Sequence, residues 1–165
     1  MNQPTIERAG RYWRLTMSQW LNQPREELFK FFADAYNLEK ITPGLLNFKV
    51  ITPAPIDMKP GTLIDYKLKV RGVPIKWRTE ITGWDPPHKF TDRQLKGPYR
   101  QWVHTHMFTE ENGGTRCDDT VEYAPLGGPL APLINKLFVE NDVKKIFAHR
   151  AEVLAEMFGD EASRP

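Results

Sequence analysis

From Asn47 to Pro125 the chain is cut by glycine, proline and asparagine into runs of alternating character, a rhythm that fits antiparallel sheet and little else. The runs are Phe48 to Thr52, Thr62 to Val70, Val73 to Trp84, Lys89 to Leu95, Tyr99 to Glu110 and Thr115 to Tyr123. Between them stand Pro60-Gly61, Arg71-Gly72, Asp85-Pro86-Pro87, Lys96-Gly97-Pro98 and Asn112-Gly113-Gly114. Arg11 to Leu21 alternates in the same way and brings the expected strands to about seven.

The two strands flanking Lys96-Gly97-Pro98 carry the most information. One face of the second holds Trp102, His104, His106 and Phe108, and the matching face of the first holds Phe90, Asp92 and Gln94. A plain core strand alternates apolar with polar residues; here polar groups share the face that the aromatics pull inward. Buried polar groups need partners. They either satisfy one another or meet something that enters a cavity.

Outside the sheet, Asn22-Gln23-Pro24 reads as a helix start with a capping side chain and an early proline, followed by a short helix over Arg25 to Ala35. A second short helix is expected over Asn37 to Ile41, ending before Pro43-Gly44. Gly127-Gly128-Pro129 opens a helical segment that runs to about Phe158. Val139, Val143, Ile146, Arg150, Val153 and Met157 recur at helical spacing, as do Leu130, Leu133, Ile134, Leu137 and Phe138 upstream. The phase slips near Asn141-Asp142, which predicts a kink or two consecutive helices. Residues 1–10 and 159–165 show no periodicity and are expected to fray.

The order predicts an α+β fold in which a curved antiparallel sheet wraps around a long C-terminal helix, with two short helices after the first strand. The space between such a sheet and its helix is a natural ligand pocket. The 165 residues suit a single domain. A formal charge of +2 is too small to argue for a nucleic-acid partner. Cys117 is the only cysteine, so no internal disulfide can form. No apolar run reaches the roughly 20 residues of an integral membrane segment, and the first residues do not resemble a secretory signal; a cytoplasmic location is expected. No glycine-rich phosphate loop or nucleophile elbow is present.

Several phrases carry a resemblance: Ile41-Thr42-Pro43, Pro60-Gly61-Thr62-Leu63-Ile64-Asp65-Tyr66, Trp77-Arg78-Thr79-Glu80-Ile81, Phe90-Thr91-Asp92-Arg93-Gln94, Gly97-Pro98-Tyr99, Trp102-Val103-His104-Thr105-His106 and Phe147-Ala148-His149-Arg150. With the element order, they make the chain resemble the helix-grip (SRPBCC) superfamily. That group takes in START lipid-transfer domains, the birch pollen allergens and the polyketide cyclase/dehydrase group. The likeness points to a bacterial branch of the last, sometimes labelled cell-division-inhibitor-like, and runs from Tyr12 to Phe158. It implies a pocket for a hydrophobic ligand. It implies no particular reaction, because the fold hosts many activities.

Strand alternation places Ile64, Tyr66 and Leu68, then Trp77, Thr79 and Ile81, then Phe90, Asp92 and Gln94 on the inner face. Trp102, His104, His106 and Phe108 follow, with Cys117, Asp119, Val121 and Tyr123 completing it. Arg150 lies within the helical stripe and faces the same space, next to Phe147. The candidate ligand-binding residues are therefore Tyr66, Trp77, Phe90, Asp92, Gln94, Trp102, His104, His106, Asp119, Tyr123, Phe147 and Arg150.

Two readings of the polar members compete. A buried arginine usually has an acidic partner, so Asp92, Asp119 and Arg150 could form a closed network tying helix to sheet. Alternatively, a carboxylate and Arg150 orient a polar ligand head while the aromatics hold its body. His104 and His106 could be satisfied by Asp92, Gln94 or Asp119, or could act with Asp119 as catalytic acid and base. The His-x-His pair could also bind a metal with Asp92 or Asp119 as third ligand, but such a site needs that ligand to converge and no second His or Cys cluster supplies one; no metal and no cofactor is expected.

Three functions remain open: a carrier of a lipid, quinone, isoprenoid or polyketide-like aromatic, a cyclase/dehydratase-type enzyme, or a protein-interaction regulator. The cue for the last is the basic outer face of Lys67, Lys69, Arg71, Lys76 and Arg78, diluted by Asp65 and Glu80.

Overall fold

The computed structural model describes residues 3–160. Eight antiparallel strands form one sheet: β1 (Thr5–Ala9), β2 (Tyr12–Leu21), β3 (Lys49–Val50), β4 (Leu63–Val70), β5 (Val73–Asp85), β6 (Lys89–Lys96), β7 (Tyr99–Glu111) and β8 (Gly114–Pro125). Their spatial order is β1-β2-β8-β7-β6-β5-β4-β3, so the pairing of β2 with β8 joins the beginning of the sheet to its end. Between β2 and β3 lie α1 (Arg25–Ala33) and α2 (Leu38–Ile41). After β8 the chain enters α3 (Ala131–Ile134), a π-helical turn (Asn135–Val139) and the long α4 (Glu140–Phe158).

Local chemistry explains most of these boundaries. The β4–β5 and β7–β8 hairpins turn on Arg71-Gly72 and Asn112-Gly113, each with positive φ at both residues, the two-residue turn that matches strand twist. Register shifts on β5, at Arg78/Thr79 and Ile81/Gly83, and on β7, at Tyr99/Gln101, mark irregularities of the kind that bends a sheet. The shift at Ile81/Gly83 also turns Trp84 inward onto Phe29 and Phe90, which simple alternation misses.

Several expectations need correction. Residues 1–10 do not simply fray, because Thr5–Ala9 pairs along β2 from Thr5↔Thr16 to Ala9↔Tyr12 and raises the strand count from seven to eight. At the other end, Gly159 caps α4 and its carbonyl accepts from the Asn22 amide, while residues 161–165 lie outside the described residues. The strand expected over Phe48 to Thr52 pairs only at Lys49–Val50. The α1 start has no side-chain cap; Pro24 precedes it and Glu26 and Glu27 supply the favourable charge in the first turn.

The phase slip in the C-terminal helical segment is the π-helical turn at Asn135–Val139, where an extra residue per turn rotates the stripe. The buried side of α4 is Val143, Phe147, Arg150, Ala151 and Leu154, because the larger Phe147 and Leu154 take the sheet side and leave Met157 outside. Upstream, Leu130, Leu133, Leu137 and Phe138 are exposed rather than packed. No helix among the described residues is long and apolar enough to cross a membrane.

The correction at β1 has a measurable consequence. Ile6 packs onto the core beside β2, and β1 covers an edge that would otherwise present unpaired amides. Deleting residues 1–10 is expected to lower stability by about 1–3 kcal/mol and to promote association, read from urea unfolding and light scattering. Unchanged values in both would show that β1 does not protect that edge.

Candidate functional site

The inner face of β6, β7 and β8 concentrates the polar chemistry. Register sets His104 opposite Asp92 and Val121, and His106 opposite Phe90 and Asp119. Diagonal contacts then link the strands, since long side chains reach across the i, j±2 offset. His104 Nε2 lies 2.8 Å from Asp119 Oδ1 in a hydrogen bond. His106 Nδ1 lies 2.9 Å from the same oxygen but outside hydrogen-bond alignment, and its Nε2 is 3.5 Å from Asp92 Oδ2. The two imidazoles have centroids 3.7 Å apart.

Two rings this close cannot comfortably both be charged, and the surroundings decide which one is. Burial, followed by the charge of His106, lowers the pKa of His104 to about 4 against the pull of Asp119. Burial also opposes the charge on His106, but Asp119 and Asp92 together outweigh it and the net shift is upward. For Asp119 the penalty of burial is overturned by the hydrogen bond from His104 and the close approach of His106, which hold its carboxyl well below the usual range. The balance favours a neutral His104 and an ionised Asp119, and places positive charge on His106 in preference to His104. Phe90 stacks on the His106 ring at 4.2 Å and Phe32 approaches it at 5.9 Å, so aromatic faces line the cation.

Asp92, His104 and His106 each offer a potential metal-ligand atom within 4.8 Å of the others. The third ligand that the His-x-His pair would need is therefore in place in Asp92, and in the same arrangement His106 lies between the carboxylates of Asp92 and Asp119. As a catalytic base at neutral pH, His104 is weak, with its pKa near 4 and its Nε2 engaged by Asp119.

The remaining candidates separate into groups. Gln94 clasps the β6–β7 turn: its Nε2 donates to the Tyr99 carbonyl at 2.7 Å and its Oε1 accepts from the Tyr99 amide at 3.3 Å. Phe90 belongs to an apolar cluster with Leu28, Phe29, Phe32 and Phe108, and Tyr66 to another with Ile64 and Ile81. Tyr123 and Phe147 lie in a third with Leu15, Val121 and Val143. Trp77, Tyr99 and Trp102 form a half-buried triad with ring centroids 4.8–5.7 Å apart. The Trp77 indole donates to Thr79 Oγ1 at 3.1 Å.

Arg150 does not join the acidic network expected of it. Its guanidinium lies 4.9 Å from the Phe147 ring centroid, and Nε and Nη1 are buried without a hydrogen-bond partner among the described residues. The helix is tied to the sheet elsewhere, by Gln19 Nε2 donating to the Ala151 carbonyl at 2.8 Å. Asn135 was missed by sequence reasoning. It is almost fully buried on the π-helical turn, with Oδ1 unpartnered; a lone amide beside Leu133 and Ile134 was the available signal. The Tyr123 hydroxyl is likewise buried outside strict hydrogen-bond geometry, and burial pushes its pKa up against the pull of the neighbouring Asn135 side chain.

A sheet gripping a long helix around an inward polar seam defines a helix-grip protein. Residues 21–149 match the model of the family described as polyketide cyclase / dehydrase and lipid transport, and the chain belongs to that family. Membership supports binding of hydrophobic ligands in general. Solved structures confirm the fold: protein Ms6760 from Mycobacterium smegmatis is 21% identical, with 93% of this chain and 98% of that one covered at a TM-score of 0.66. Protein CV1439 from Chromobacterium violaceum is 14% identical over 90% of this chain and 98% of that one, at a TM-score of 0.69. Ginseng major latex-like protein 151 from Panax ginseng is 12% identical over 90% of this chain and 99% of that one, at a TM-score of 0.63. No curated protein matches the chain.

The charge assignment can be tested by titration. Between pH 6.5 and about 4 an unfolded chain takes up a proton at His104 that the folded chain refuses, so stability falls as pH falls through that window. Below 3.8 protonation of Asp119 adds to the loss. The His106 contribution is full below 6.5 and is lost as pH rises through its raised folded value. NMR of the imidazoles is expected to show His104 titrating near 4 and His106 above 6.5; two rings both titrating at 6.5 would refute the assignment. Replacing the shared counter-charge, Asp119→Asn, is expected to cost about 3 kcal/mol or more by urea unfolding. A cost below about 1 kcal/mol would show that the carboxylate is not needed to balance His106.

Proposed function

We propose that the protein binds a hydrophobic small molecule, such as a lipid, quinone, isoprenoid or polyketide-like aromatic, between its sheet and α4. The observation that carries this reading is the division of the interior. A domain of this size usually has one contiguous core, whereas here the buried apolar residues fall into three clusters, two of them joined through the partly buried Leu38 and Trp84. Beside them the Trp77–Tyr99–Trp102 triad remains only half-buried despite facing inward. Large aromatic surfaces left partly open on an inner face suit an apolar body, and the polar atoms of Tyr123 and Asn135 offer it hydrogen bonds.

Binding is favoured over catalysis because the histidines and Asp119 are engaged with one another, which leaves no free base at neutral pH. A regulatory role through the basic outer face draws less support. Of its five cations, Arg78 pairs with Asp65 and Arg71 with Asp142, so two are balanced within the chain.

Native mass spectrometry of the purified full chain, followed by organic extraction, tests the reading. A retained apolar species, or saturable binding of a naphthalene-type fluorophore by energy transfer from tryptophan, is expected. Trp102→Ala is expected to weaken that binding about tenfold. No retained mass together with no saturable binding would overturn the proposal.

A further inference from the structure

The interior leaves one charged side chain without a counter-charge in contact. Arg150 is 9% exposed and sits on the inner side of α4 with Phe147, Ala151 and Leu154. Its guanidinium rests on the Phe147 ring at 4.9 Å, and that ring meets His104 at 5.5 Å. The two inward carboxylates that could have served it, Asp92 and Asp119, are held by the histidines instead. Two of its nitrogens, Nε and Nη1, are buried with no acceptor among the described residues.

An unpaired buried cation is costly, and a lysine or histidine would relieve the cost by losing its proton. Arginine cannot, because its guanidinium stays protonated in proteins. The unmet donors therefore call for an acceptor from outside the chain. A carboxylate suits them best: it is planar, it accepts from a guanidinium fork, and its charge balances the cation.

We propose that Arg150 anchors the carboxylate of an amphiphilic ligand, a hydrophobic acid whose body lies along the aromatic seam between the sheet and α4. The proposal rests on the ligand-binding reading above and narrows it to a chemical class. The Phe147 ring beneath the guanidinium, 4.9 Å away, limits where the head group can move, so the acid group meets a positioned partner.

Matched probes separate this proposal from the broader one. Dansyl-labelled undecanoic acid and its methyl ester, and naphthoic acid and methyl naphthoate, differ within each pair only at the anionic head. Fluorescence titration of the full chain is expected to favour the acid over its ester by roughly 10- to 100-fold in at least one pair. Arg150→Met should collapse that ratio toward one, and Arg150→Lys, which keeps the charge and loses the fork, should leave an intermediate ratio. In the ligand-free protein, Arg150→Met is expected to raise the melting temperature, because it replaces an uncompensated charge with an apolar side chain of similar length. An arginine serving only the fold would lower it. Equal binding of acid and ester by the wild-type chain overturns the carboxylate anchor and leaves the pocket reading standing. Failure of both members of both pairs to bind overturns both. Should Arg150→Met fail to fold, the wild-type ratio and Arg150→Lys decide, and an unchanged ratio in Arg150→Lys counts against the anchor.

Discussion

The carboxylate of Asp119 lies within 3 Å of two imidazole rings on the neighbouring strand, and the middle of the sheet is organised around that sharing. Rings 3.7 Å apart resist carrying two charges, so one proton is held at His106 and His104 stays neutral. The charge on His106 then draws in Asp92 from β6, which links three consecutive strands through side chains as well as backbone. Register follows from the same contacts. A one-residue slip of β7 would carry His104 and His106 to the solvent face, strand Asp92 and Asp119 inside without them, and bring Val103, Thr105 and Met107 inward. The aromatic packing around His106 extends the arrangement to α1, because Phe32 contacts both the His106 ring and Phe108.

How far the sequence reveals this depends on the period of each element. A period of two is unforgiving, and the inward positions on β4, β6, β7 and β8 could be read residue by residue; the buried Ile64, Tyr66, Phe90, His104, His106, Val121 and Tyr123 lie where alternation puts them. The pattern breaks where the backbone breaks, as at Ile81/Gly83, where a register shift reverses the parity and buries Trp84. The first strand escaped notice because Thr5–Ala9 is an edge with little burial and hence little hydrophobic signature. The π-helical turn announced itself only as a phase slip, placed a few residues late because Val139 and Val143 fit either phase. At the site, residue types and facing were legible, and pairings were not. Alternation says that Gln94 points inward, but it cannot say that the amide folds back to clasp Tyr99.

The same contacts that stabilise the centre of the sheet help keep the interior divided. A continuous apolar core would need the inner face of β6–β8 to be aliphatic, and a polar lattice stands there instead, between separate aromatic and aliphatic clusters. The β4–β5 hairpin reaches the helical segment directly. Arg71 at its tip makes paired hydrogen bonds to Asp142 at 2.9 and 3.0 Å and lies over the Phe138 ring at 5.0 Å. That contact joins the far side of the sheet to the start of α4, where the exposed Leu130, Leu133 and Leu137 begin. The sheet and its helix therefore meet through the apolar packing of Val143, Phe147, Ala151 and Leu154, with polar ties at Gln19–Ala151 and Arg71–Asp142.

Arginine placement gives the clearest contrast in the molecule. Arg14 pairs with Glu122, Arg71 with Asp142, Arg78 with Asp65, Arg93 with Glu80 and Arg116 with Glu111 and Asp118, all at positions where water could have served the guanidinium. Such exposed pairs contribute little, commonly below about 1 kcal/mol. Arg150, where water is largely excluded and a partner matters most, has none. Packing does not account for this, since methionine or leucine would fill the same volume beside Phe147 without burying a charge. The fold could also have supplied a carboxylate from a neighbouring strand, as it does twice for His106. An unmet donor at the one buried arginine among the described residues, beside five exposed ones that are paired, is what the proposed carboxylate anchor requires of the free protein.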